Sequence, residues 1–171
     1  MRIRMLGGRR LWWVAGVVVV AAVVVVALAV LVPGRHADRL PVRAREYTDA
    51  RVCLLTDDHG VTGEQAVPVW AGMQDASGET KAQVSFLSVM GPATVTNAQS
   101  YANTLVQRKC SMLLASGDLP VQALRAIAPA NPKVRFVVVG DGASAANLTV
   151  LAASSPVRSE VARIVKDSGQ A

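Results

Sequence analysis

The chain has 171 residues, of which 51% are hydrophobic and only 4% aromatic, with a formal charge of +6. That length allows one medium domain plus an accessory segment and excludes a two-lobed enzyme of ordinary size. Two cysteines are too few for a disulfide-dense scaffold or a closed zinc site, and His36 and His59 leave little scope for a histidine-based metal or triad site.

The charge is unevenly placed. Residues 1–50 carry eight arginines against Asp38, Glu46 and Asp49, for +5, whereas residues 51–171 are nearly balanced at +1. A nucleic-acid-binding domain carries its basic excess on one folded face. Here the excess flanks an apolar segment, so the expectation is membrane topology and no nucleic-acid partner.

Residues 1–10 read as a basic cytoplasmic tail with Arg2, Arg4, Arg9 and Arg10. Leu11 to Val32 is uncharged throughout. As a helix it would be about 33 Å long, enough for a hydrocarbon core of about 30 Å. Trp12 and Trp13 stand where an interfacial aromatic belt belongs. The run exceeds the usual signal-peptide core, so an uncleaved anchor is favoured over a long signal segment. The expected topology is a single pass, with the N-terminus cytoplasmic and the domain extracytoplasmic. Residues 33–50 are polar, contain two prolines and read as a juxtamembrane linker.

From residue 51 to 168, short apolar runs alternate with longer helical segments. Strands are expected at Arg51–Asp57, Gln83–Val89, Ser111–Ala115, Val134–Val139 and Leu148–Ala152. Helices are expected at Glu64–Ser77, Thr94–Lys109, Leu119–Ala130 and Pro156–Ser168. Thr94 or Thr96 is a candidate cap for the second helix, and Ser154 or Ser155 for the last. Pro68 and Pro120 fall near helix starts, where proline is tolerated. Alternating strand and helix predicts an α/β domain, a doubly wound parallel five-stranded sheet of order 2-1-3-4-5 preceded by one transmembrane helix.

That order brings strands one and three together, so Cys53 and Cys110 fall at the same end of the sheet. They pair in an oxidising space, or else remain two buried thiols behaving as small hydrophobes.

Ligands of such sheets bind beyond the C-terminal strand ends. The loops converging there contain Asp57, Asp58, Ser116, Gly117 and Asp141, candidate ligand-binding residues that can hydrogen-bond the hydroxyls of a small polar solute. Gly, Asp and Ser also serve as turns and caps. No dinucleotide fingerprint, P-loop or nucleophile elbow is present. The Asp57-Asp58 pair lacks the further aspartate and lysine that a phosphorylatable receiver needs. No catalytic pair, metal site or cofactor is expected. Asn147-Leu148-Thr149 matches a glycosylation sequon.

Five pieces in order carry a resemblance: RVCLLTDDHGVTGEQAVPVWAGMQDAS, AQVSFLSV, NAQSYANTLVQRKCSMLLASG, IAPANPKVRFVVVGDG and NLTVLAASSPVRSEVARIV. Together, residues 51–165 resemble the N-terminal lobe of the BMP family (basic membrane lipoprotein, Med-like) of ABC-transporter substrate-binding proteins. The resemblance implies a periplasmic-binding-protein-like lobe and a small solute, often a nucleoside. Asp57 matches the first acid of the family's ligand loop. Gly63-Glu64-Gln65-Ala66 replaces the stretch that carries the family's Ser-Phe-Asn, so the stacking aromatic is missing. Family members close two lobes around the solute, and the resemblance here covers one.

Two functions follow as expectations. One is a membrane-anchored, extracytoplasmic solute-binding lobe, related to ABC-transporter solute receptors and partnered by a transporter component, with weak or accessory binding. The other is a protein–protein interaction module, such as a homodimer, that has lost solute binding.

Overall fold

In the computed structural model, the described residues are 47–168. The expected basic tail, the membrane segment 11–32 and most of the linker lie outside the described residues. Among those described, no helix is long and apolar enough to cross a membrane. Arg45–Ala171 forms one compact unit.

Strands β1 (Arg51–Thr56), β2 (Gln83–Ser88), β3 (Met112–Ala115), β4 (Arg135–Val139) and β5 (Leu148–Leu151) alternate with helices α1 (Ala66–Thr80), α2 (Val95–Gln107), α3 (Asp118–Ile127) and α4 (Val157–Ser168). The sheet order is β2-β1-β3-β4-β5, with every neighbouring pair parallel. This is the α/β sheet and strand order expected from the sequence.

The period-two geometry of a strand sends alternate side chains to opposite faces. Cys53, Leu55, Leu113, Ala115, Phe136 and Val138 pack with α2 and α3 in one core. Val52, Leu54, Met112, Leu114 and Val137 pack with α1 and α4 in the other. Both faces are covered, which is why the central strands read as unbroken apolar runs rather than as alternating ones.

The helix boundaries have local causes. Thr94 caps α2, its Oγ1 accepting from Asn97 N–H at 3.2 Å; of the two candidate caps, Thr96 lies inside the helix. The α3 helix gives way at Ala128–Ala130 to a 3-10 turn, because Pro129 has no N–H to continue the i→i−4 ladder. The α1 helix runs past Gly78 and ends where Lys81 turns left-handed, with φ 62°. Ser155 does not supply the expected cap; its hydroxyl donates to Ala152 C=O at 2.6 Å.

Helices α1 and α4 approach closely because Gly72 has no side chain. A Cβ there would overlap the Arg158 carbonyl oxygen and stand 3.0 Å from Val161 Cβ.

The register of β1 and β3 brings the two cysteines together, and they form a disulfide, with Cα atoms 6.0 Å apart. Cys53 and Cys110 are both nearly fully buried in the α2–α3 core. Asn147 is also internal in its bonding. Its Nδ2 donates to the carbonyls of Ala128, Asn131 and Val134 at 3.0, 3.1 and 3.2 Å. The sequon's acceptor nitrogen is thus engaged in holding the α3–β4 connection, against the glycosylation reading.

Candidate functional site

The C-terminal ends of the strands carry two groups of polar side chains that meet at the start of α3. The first follows β1. The Asp57 carboxylate accepts from His59 N–H at 3.1 Å, the bond of an Asx turn. The His59 ring lies with Nδ1 3.0 Å from Asp58 Oδ1 and 3.7 Å from Asp57 Oδ1. Asp58 and His59 are exposed, whereas Asp57 is partly covered. These three residues hold their ligand-type atoms within 4.8 Å of one another, but the imidazole nitrogen faces carboxylates on a solvated surface.

Gly117 completes this group. Its φ of 94° lies in the region open to glycine. A Cβ there would stand 3.3 Å from Asp57 Oδ2. The β3–α3 backbone therefore packs directly against the Asp57 carboxylate. Ser116, just before it, is 2% exposed. Its Oγ is buried and has no hydrogen-bond partner among the described residues. Its backbone N–H continues the sheet to Leu55 C=O.

The second group lines a cavity of about 690 Å³ reached by Glu64, Gln65, Asp118, Gln122, Arg125 and Asp141, with Pro68, Val121, Val139 and Val157 among its apolar walls. The N-terminal ends of α1, α3 and α4 all border it. Arg125 Nη2 donates to Asp141 C=O. Gly142 leaves room for the guanidinium, since a Cβ there would be 2.9 Å from Nη1. Arg125 is thereby held across the β4–β5 loop rather than swinging freely.

Of the residues expected to form the site, Asp57 and Gly117 are in contact and Asp58 stands beside them. Asp141 lies in the cavity, linked to the others through Asp118, which follows Gly117. Ser116 faces inward. Arg125, Glu64, Gln65 and Gln122 were not anticipated. A signal existed in the spacing of Asp118, Val121, Gln122 and Arg125, which places them on one helical stripe.

A larger hollow, about 890 Å³, lies between α1 and α4. Its charged groups are already paired with one another. Arg158 Nε is 2.7 Å from Asp75, Lys166 Nζ 2.7 Å from Glu79, and Arg163 Nη2 2.7 Å from Glu160. The bidentate Arg158 contact holds the Asp75 carboxyl below its ordinary value and raises Arg158. The smaller cavity, with unpaired hydrogen-bonding groups, is the better candidate.

No family model matches the chain, and no curated protein matches it. Among solved structures, a fragment of a "putative lipoprotein" from Peptoclostridium difficile 630 shares the fold, with TM-score 0.60 and 13% identity over 71% of this chain and 99% of that one. A solute-binding protein of an ABC transporter system from Aeropyrum pernix K1 aligns with TM-score 0.48 and 17% identity, over 58% of this chain and 27% of that one. A transcriptional activator of the comK gene from Bacillus halodurans aligns with TM-score 0.49 and 17% identity, over 59% and 34%.

Proposed function

We propose that Arg45–Ala171 is a periplasmic-binding-protein-like lobe that holds a small polar solute at the C-terminal edge of its sheet, outside the cell and tethered by residues 11–32. The observation that carries the reading is the cavity bordered by three helix N-terminal ends, with Arg125 fixed across the β4–β5 loop. Its position is where open α/β sheets take ligands. Its volume of about 690 Å³ lies in the range of small-molecule sites.

The lining also selects the solute. Glu64, Asp118 and Asp141 outnumber Arg125, and the three helix N-termini, each equivalent to about half a positive charge, offset most of that excess. A fully charged anion therefore gains little there. A neutral polyhydroxyl compound meets carboxylate and amide acceptors at no Coulombic cost, with one guanidinium as donor. A nucleoside or sugar has that chemistry, which agrees with the BMP-like pieces of the sequence. The missing aromatic argues for weak binding, since the solute loses a stacking face. The role is binding rather than catalysis, and a transporter component is the natural partner.

Thermal unfolding of the oxidised domain against nucleosides and sugars tests the reading. Ligand binding raises the midpoint according to RT ln(1 + [L]/Kd), so a millimolar ligand registers at high concentration. One solute class should raise the midpoint, and Arg125→Ala and Asp141→Ala should each remove the shift. No shift with any member of the panel contradicts solute binding.

A further inference from the structure

The two edges of the sheet are treated differently. At the β5 edge, the outward N–H groups are those of Leu148 and Val150, and both are satisfied within the chain. Leu148 N–H donates to Ala145 C=O at 3.2 Å and Val150 N–H to Ser144 Oγ at 3.0 Å. The loop before β5 thus closes its own edge.

The β2 edge is bare. Gln83 and Val89 N–H donate inward, to Ala50 and Thr56 of the β1 segment. By strand alternation, Val84, Phe86 and Ser88 turn their N–H and C=O groups outward. Among the described residues nothing accepts from or donates to them. Natural proteins usually protect such an edge with charge, proline or a bulge. Here β2 has none of these, and from Ala82 to Gln107 the chain carries no Asp, Glu, Lys, Arg or His, although 18% of its residues are charged.

The neighbouring surface matches. Phe86, on the α1 side of β2, is 45% exposed and meets Trp70 edge to face at 5.5 Å. Val67, one turn earlier on α1, is 49% exposed. The acids of α1, Asp75 and Glu79, pair with α4 on the far side. A hollow of about 510 Å³ lies at the start of β2, bordered by Tyr47, Gln74, Gly78 and Val84, all uncharged.

We propose that the β2 edge is a dimer interface, in which two copies of this chain pair antiparallel through β2 and extend the sheet across both. A second copy is the occupant the surface fits. A two-fold contact brings a patch against itself, so a patch of one charge sign would repel its mate; this one is uncharged from Ala82 to Gln107, and Lys81, whose Nζ donates to Gly78 C=O, lies at its margin, five residues from Phe86. Centred on Phe86, the two-fold sets Phe86 against Phe86 and Val84 against Ser88. Each of those pairs exchanges two backbone hydrogen bonds and uses every outward group of the strand. The Trp70–Phe86 pairs of both copies join in one aromatic cluster. Met90, 56% exposed, then comes to the start of the other copy's β2, beside the hollow. The interface lies on the flank away from the Arg125 cavity, and its existence does not depend on whether that cavity takes a solute.

Sedimentation of the full chain in detergent and of the soluble domain from Arg45 tests the proposal, alongside two variants. Phe86→Lys puts like charges opposite each other at the two-fold. It should weaken dimerisation by roughly 30-fold or more while the thermal unfolding midpoint of the domain at low concentration stays near that of the parent. Phe86→Cys puts two thiols at about 5.5 Å between Cα atoms, within disulfide range, and should give a covalent dimer under mild oxidation. A monomeric full chain overturns the proposal, including the case in which residues 1–44 cover the edge and only the truncated domain dimerises. So does a dimer that is insensitive to Phe86→Lys or that fails to cross-link through Phe86→Cys.

Discussion

The two faces of the sheet are held by different physics. On the α2–α3 face, a buried disulfide joins β1 to the α2–β3 connection, and a single amide, Asn147, ties three carbonyls of the α3–β4 connection. On the α1–α4 face, the helices meet backbone to backbone at Gly72 and are laced at the surface by Arg158–Asp75 and Lys166–Glu79. One face is fixed by a covalent bond and by uncharged, partly buried polar bonds that salt and mild acid leave alone. The other is fixed by shape and by exposed charge. Redox conditions should therefore act on the first face, and pH and ionic strength on the second.

The largest expected effect comes from the disulfide. Closing a 57-residue separation lowers the entropy of the unfolded chain by an amount worth about 4 kcal/mol. Replacing Cys53 and Cys110 together with alanine should lower stability in urea by about that amount, and a reductant should do the same to the parent but nothing further to the variant. Next is Gly72. Gly72→Ala forces α1 away from Arg158 and Val161, which should cost roughly 1–3 kcal/mol, read as a fall in the urea midpoint. Asn147→Ala leaves three partly buried carbonyls without this donor and should cost about 1 kcal/mol, with faster amide exchange confined to residues 128–136.

The smallest effect is electrostatic. Folding lowers the pKa of Asp75, so the unfolded chain binds a proton at higher pH than the folded one. The pair's contribution is present above the ordinary aspartate value and is lost as pH falls through the lowered one. Asp75→Asn should remove that part of the acid limb and lose its difference from the parent in high salt. A strong salt dependence surviving in Asp75→Asn would move the electrostatic contribution off this pair.

The fold was largely legible because the strands are apolar on both faces and the helices interrupt them at regular intervals. The strand order then made the Cys53–Cys110 pair testable as soon as β1 and β3 were adjacent. The site was legible only in part. Asp57, Gly117 and Asp141 follow strands, where loop acids and glycines stand out. Arg125 sits within a helix and reads as an ordinary polar position until the β4–β5 loop folds over it. The α1–α4 ion pairs join residues far apart in sequence, and nothing local marks Asp75 as the partner of Arg158. Likewise the uncharged run from Ala82 to Gln107 spans a strand, a loop and a helix, and its meaning depends on β2 being an edge.

The central claim is that a polar solute sits among Asp118, Arg125 and Asp141. The most direct measurement is an amide and arginine side-chain NMR titration of the labelled, oxidised domain with a nucleoside and a sugar. Saturating shifts at Gly117, Asp118, Gly140 and Asp141, together with the Arg125 Nε signal, are the predicted result. A spectrum that stays unchanged there to millimolar solute, or that changes only along β2, would contradict it.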